Sequence, residues 1–284
     1  MLKHKLDRQT KALDLRKTES LPTIDQKFYA FECKLNEELA QLELPKEISC
    51  IYNPVEYASD LHCAYLKKYL NGTKNVVFIG INPGPKGMCQ TGIPFGNVGT
   101  IRNKMQLSGE VQQPPLLHAK RPVTGLNYRT EEQSGLRLWN LFEELAGSLD
   151  VFFQQCFVHN LCPLAFFDEK GGNVTPDHLK GEYKTLIRDK CLMTLEKQLE
   201  LLRPQFVVAI GSWVEIELKK SSSYCKSNAT VIRLKHPSMR VPNNTKWAEE
   251  AKAFLEEKDL IKYICNKPQG YRVLSEEMEV HLKV

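Results

Sequence analysis

The chain of 284 residues has no uninterrupted apolar stretch near the ~20 residues needed to cross a bilayer, which argues against a membrane-spanning role. Its opening segment, MLKHKLDRQTKALDLRKTES, has no apolar core followed by a small-residue cleavage site, so a secretory leader is not expected. The nine cysteines are odd in number, irregularly spaced and without a C-x-x-C pair. That usage gives neither a disulfide framework nor a zinc-ligand pattern, and it fits the reduced thiols of the nucleus or cytosol. Neither G-x-G-x-x-G nor G-x-x-x-x-G-K-S/T is present, which removes the common nucleotide-binding loops. The lack of a G-x-S-x-G elbow and of an H-E-x-x-H helix argues against acyl transfer and metallohydrolysis. There is no internal repeat.

What is present belongs to an ordinary globular protein able to bury a substantial core, with 42% hydrophobic and 26% charged residues. A net charge of +5 permits a polyanionic partner without demanding one. Basic clusters at Lys67-Lys68, Arg102 to Lys104, Lys120-Arg121 and Lys219-Lys220 have the same double reading, phosphate contacts or a solvated face. Residues 1–24 are charged and aperiodic and read as a mobile arm, residues 25–265 as the functional domain, and residues 266–284 as a C-terminal tail.

Four apolar runs rich in β-branched and aromatic residues predict strands at 75–81, 151–158, 206–210 and 229–234. Helical spacing lies between them, at 57–70, after a Ser134 cap, from Thr175 through Pro176 to Leu202, and at 247–257. Alternation of helices with buried strands predicts a three-layer α/β/α domain around a central, mostly parallel four-stranded sheet. The Pro- and Gln-rich segment 108–132 reads as a long functional excursion.

In such a sheet, ligands bind beyond the carboxyl ends of the strands, and the most distinctive residues of this chain sit at those exits. The first run leads into Asn82-Pro83-Gly84-Pro85-Lys86-Gly87-Met88 and then Thr91-Gly92-Ile93-Pro94-Phe95-Gly96; the second leads into Asn160; the last leads into His236-Pro237-Ser238-Met239-Arg240. Taken singly, these have plain readings as a tight turn, a capping Asn and a structural His. Together they place on one rim a carboxamide whose donor and acceptor complement an imide edge, and a His suited to stabilise developing negative charge. None of these motifs contains Asp or Glu, which disfavours a paired-carboxylate glycoside hydrolase. An electrostatic site remains, one that holds a flat heterocycle and orients water with Asn82.

The strings GINPGPKGM, TGIPFG, FVHNLCP and HPSMR together resemble the single-strand-selective monofunctional uracil-DNA glycosylases, a branch of the uracil-DNA glycosylase superfamily. YNPVEYA from Tyr52 and KRPVTGL from Lys120 also look like that family, and the resemblance runs over residues 28–263. It implies a DNA-repair enzyme that flips uracil, 5-hydroxymethyluracil and related oxidised uracils out of single- or double-stranded DNA. The enzyme would hydrolyse the N-glycosidic bond and leave an abasic site, with no metal or organic cofactor. By the same resemblance Asn82 positions the attacking water, Phe95 stacks on the extruded base, Asn160 reads its N3 and O4 edge, and His236 donates to O2. Gly84 and Met88 face C5. Lys86, Ser238, Met239, Arg240, Val241 and Pro242 form the DNA wedge and backbone contacts. Lys86 stands where the family commonly has an apolar residue, and Met239 where it commonly has Pro. A monomer resident in the nucleus is expected. A branch with another base specificity and a non-catalytic damaged-DNA-binding module stay open as alternatives.

Overall fold

A computed structural model of the chain describes residues 21–220 and 229–266. Its strands are β1 (Cys50–Tyr52), β2 (Val76–Gly80), β3 (Cys156–Asn160), β4 (Ala165–Phe167), β5 (Asn173–Val174), β6 (Phe206–Ile210) and β7 (Thr230–Leu234). The longer helices are α1 (Ile24–Ala40), α2 (Ser59–Tyr69), α3 (Gln133–Ala146), α4 (Leu149–Gln155), α5 (Gly181–Leu202), α6 (Ser212–Lys220) and α7 (Trp247–Glu257). A four-stranded sheet runs in the order β3-β2-β6-β7, parallel throughout. β2 and β3 are buried along their whole length, as strands covered on both faces must be, whereas on the edge strand β7 only Leu234 is buried.

Side-chain alternation separates the layers. Phe157 and His159 leave β3 on one face, toward Phe28 of α1, while Phe78 leaves β2 on the other and meets Phe142 of α3 at 4.7 Å between ring centroids. Phe142 in turn stacks on Phe152 of α4 at 4.3 Å. Register puts Gly80 beside Asn160 and Ile210 beside Leu234, so the strands end level. The chain leaves β2 for β3 on one side, while β6 and β7 lie on the other. The switch point between β2 and β6 opens the crevice.

Several elements differ from expectation. The run 151–158 is not one strand: Ser148 caps α4 by accepting the Val151 N–H, and the strand starts only at Cys156. Phe152 and Phe153 serve helix packing, a use that an apolar run alone cannot distinguish from a strand. The cap of α3 is Glu132, not Ser134, because its carboxylate reaches the backbone N–H groups of both Ser134 and Gly135. The span from Thr175 is a short 3-10 turn at Pro176–His178, interrupted by an extended Lys180 before α5 begins. The helix expected at 57–70 is broken at Ala58, which ends a turn at Pro54–Tyr57 and precedes α2. An antiparallel sheet of the order β1-β4-β5 was not foreseen. The excursion 108–132 has only a 3-10 turn at Gly125–Asn127, and it is tied to that second sheet by Tyr52, whose hydroxyl donates to the Arg121 carbonyl at 2.6 Å. Thr23 is the N-cap of α1; the rest of the expected arm up to residue 20, and the tail beyond residue 266, lie outside the described residues.

Candidate active site

β2 ends in glycine because two other side chains occupy the space. A Cβ at position 80 would overlap the Asn160 carboxamide oxygen and stand 2.7 Å from the Phe95 ring. Asn160 is buried, 4% exposed, and its Nδ2 donates to the Met88 thioether at 3.2 Å. Sulfur is a weak acceptor, so the amide is held in place yet exchanges readily for a carbonyl. Phe95 is half-buried in a left-handed conformation, φ 54°, that ordinarily suits glycine. Its carbonyl receives the Trp139 indole N–H at 3.0 Å and lies where a side chain at Gly135 would stand, so α3 holds this turn from below. The Phe95 ring faces the His236 imidazole at 6.1 Å between centroids, tilted by 43°.

His236 follows β7, opposite Gly211 at the exit of β6. Its Nδ1 accepts the Ser238 backbone N–H at 3.1 Å, which places the ring proton on Nε2. Burial pushes its pKa down to about 4, so near neutrality the side chain is an uncharged donor. Asn82, on the rim beyond β2, donates from Nδ2 to the Leu164 carbonyl at 3.0 Å, a tether that leaves its Oδ1 as an acceptor. The four side chains therefore supply an aromatic face, a donor–acceptor edge, a neutral N–H donor and an acceptor for water. Among the described residues no group of three or more His, Cys, Asp and Glu is arranged to hold a metal ion.

The family model of the uracil DNA glycosylase superfamily matches residues 67–258. The chain belongs to the uracil-DNA glycosylase superfamily. Its sequence is 40% identical over 241 residues to the single-strand selective monofunctional uracil-DNA glycosylase of Rattus norvegicus, covering 84% of this chain and 87% of the rat protein. The Bos taurus counterpart is 41% identical over 235 residues, 82% of this chain and 86% of the bovine one. The crystal structure of Pedobacter heparinus SMUG2 superposes with a TM-score of 0.59 at 20% identity, covering 82% of this chain and 98% of that one. The branch named from the motifs is thus the branch of these relatives, and the fold is the superfamily's.

Around this glycosylase-type pocket the remaining expected residues divide into two sets. Met88 is buried against Asn160, and Gly84 is half-buried with nothing within 4 Å of where a Cβ would point. Lys86, Met239, Arg240 and Pro242 are exposed. Ser238 and Val241 are half-buried, and Val241 joins His236, Gly211 and Trp213 in lining a cavity of about 740 Å³ whose walls include none of Asn82, Met88, Phe95 and Asn160. No helix among the described residues is long and apolar enough to cross a membrane.

The sequence reading missed Glu132, Arg137, Trp139 and Asn244. Glu132 lies against Gly87, where burial raises its carboxyl pKa while the N–H groups it accepts and nearby Lys86 oppose that rise. Asn244 donates from Nδ2 to the carbonyls of His236 and Ser238, both at 2.8 Å, and shapes the loop after β7. Of these, only the Asn244 loop carried a signal, its Pro-Asn-Asn string.

Proposed function

We propose that the chain is a monofunctional uracil-DNA glycosylase that hydrolyses the N-glycosidic bond of an extruded uracil. The observation that carries this reading is the meeting of the Asn160 carboxamide and the Phe95 ring over Gly80, with the His236 imidazole 6.1 Å from the Phe95 ring and its Nδ1 occupied by the Ser238 N–H. A flipped base needs a stacking surface to replace its lost neighbours and a polar edge to identify it. Phe95 supplies the first. Asn160 supplies the second by accepting from N3–H and donating to O4, giving up the Met88 sulfur for a better acceptor. Cytosine offers the opposite polarity at both atoms, and sites that depend on such bonds reject a mismatched analogue by ~10⁴-fold or more.

Asn82 cannot take a proton at neutral pH, so bond breaking runs ahead of water attack. The sugar becomes cationic and uracil leaves as an anion whose O2 accepts from the neutral His236. Asn82 Oδ1 orients the water that completes hydrolysis. Open space beside Gly84 supports a range extending to 5-hydroxymethyluracil and related oxidised uracils. Met239, Arg240, Val241 and Pro242 are suited to fill the gap left in DNA, and Lys86 and Ser238 to meet its backbone. The substrate makes the nucleus the place of action, and the chain acts as a monomer.

The test incubates the protein, in EDTA, with fluorescent single-stranded and duplex oligonucleotides carrying uracil, 5-hydroxymethyluracil or thymine, followed by alkali. Alkali-labile product is expected from the first two bases, and Asn160→Ala should lower it by at least ~10²-fold while the protein stays folded. Binding without product from any base would make the chain a recognition module; release of uracil alone would end the broader range.

A further inference from the structure

Arg137 has no carboxylate partner among the described residues; instead it spends its donors on the loop that follows His236. Its Nη1 donates to the Pro237 carbonyl at 2.7 Å and meets the Met239 sulfur at 3.0 Å. Its Nη2 donates to the carbonyls of Asn244 at 2.5 Å and Thr245 at 3.3 Å. The guanidinium also lies 5.4 Å from the Trp247 ring centroid, and the Trp247 indole N–H holds the Lys235 carbonyl at 2.7 Å. Asn244 stabilises the loop from inside, but Arg137 fixes it to α3, an element a hundred positions earlier in the chain.

One of these bonds has a chemical consequence. The Pro237 carbonyl and the Ser238 N–H are the two ends of a single peptide group, which is planar and rigid. Arg137 holds its oxygen end, and its nitrogen end donates to Nδ1 of His236. A cationic donor on the oxygen polarises the group and strengthens the N–H at the far end. An Nδ1 kept as acceptor leaves the ring proton on Nε2, the nitrogen required for donation to the departing base.

The geometry points to Arg137 as a positioning residue that, through the Pro237–Ser238 peptide, sets the orientation and the protonated nitrogen of His236. This rests on the glycosylase reading for its kinetic consequence and stands apart from it for its structural one. Arg is suited to the task because its planar fork spans separated carbonyls, whereas the Lys ammonium is a point charge on a flexible stem.

Measurements on Arg137→Gln and Arg137→Lys test the proposal. Nitrogen-15 NMR of the free protein should show His236 with its proton on Nε2 in the unaltered chain and a mixture of both tautomers in Arg137→Gln. Single-turnover excision from a uracil oligonucleotide should fall by ~10- to 100-fold in Arg137→Gln, with affinity for a non-cleavable analogue kept within about 2-fold, because displacement of a catalytic group by an ångström costs about that much. Arg137→Lys should recover part of the rate. In a His236→Leu background, Arg137→Gln should cost nothing further, since both changes remove one interaction. An unchanged tautomer, or losses that add in the double variant, would overturn the proposal. If Arg137→Gln fails to fold, Arg137→Lys carries the same comparison. A chain that excises no base would end the glycosylase reading, and the tautomer measurement would still decide the role of Arg137.

Discussion

Two histidines in this fold are pushed down to about 4 by burial, and they do opposite things. His159 leaves β3 toward α1, where its ring meets Phe28 at 5.0 Å, lies 3.9 Å from the Glu32 carboxylate, and leaves a buried Nδ1 without a hydrogen bond. Its neighbour His62 shares that carboxylate at 2.8 Å and holds the Gly92 carbonyl at 2.7 Å through Nδ1. Burial opposes charge on His62, yet the charge and hydrogen bond of Glu32 together with the Gly92 carbonyl outweigh it and the pKa rises. His236, by contrast, has Nδ1 committed to the Ser238 N–H, and its ring stands 6.1 Å from that of Phe95. A depressed pKa therefore marks desolvation, which the core supplies as readily as an active site. The hydrogen bond made or missed at Nδ1, and the ring each imidazole stands beside, separate the two.

That contrast can be broken in order of effect. Glu32→Ala strips His62 of its counter-charge, and losing one member of a buried pair costs about 3–5 kcal/mol. Urea unfolding should show this loss, while single-turnover excision by the folded variant stays within about 3-fold; lost activity at full stability would tie the cluster to catalysis. His236→Leu should do the converse, lowering the single-turnover rate by ~10² to 10³-fold with DNA affinity preserved. Equal losses in rate and affinity would reduce His236 to a binding or folding role.

Smaller effects follow from pH. His159 and His236 both have folded pKa values below the ordinary one, so the unfolded chain takes up protons that the folded chain refuses between pH 6.5 and about 4. Their contribution is full above that window, and stability should fall as pH drops through it, by at most ~1.4 kcal/mol per pH unit for each group. His159→Leu should make the decline shallower in denaturation curves at a series of pH values; an unaltered slope would contradict the assignment. The smallest expected effect is none: single-turnover rates should show no inflection near pH 6.5, since His236 is already neutral there. A step centred at that pH would place an imidazolium in the mechanism.

Much of the fold was legible because central parallel strands are continuous apolar runs and their exits are abrupt. That pattern located Asn82, Asn160 and His236 on one rim, and the family resemblance added Phe95 and Met88. The strands of the second sheet have two or three residues each, too few for alternation to register. The run 151–158 reads as a single strand because Phe152 and Phe153 suit either period. Glu132 was missed because a side-chain cap two positions before Ser134 competes on geometry, not composition. Nothing in the sequence could mark Arg137, which looks like a solvated position on a helix until Pro237 is brought to it from far along the chain.

Gly135, Arg137 and Trp139 sit on successive alternate positions at the start of α3; two of them bear on Phe95 and the other on the loop behind His236. Both jaws of the crevice are thus mounted on one short stretch of helix. Local fraying there, driven by heat or denaturant, should slacken the two together, so that the protein loses its bite while its sheet is still intact.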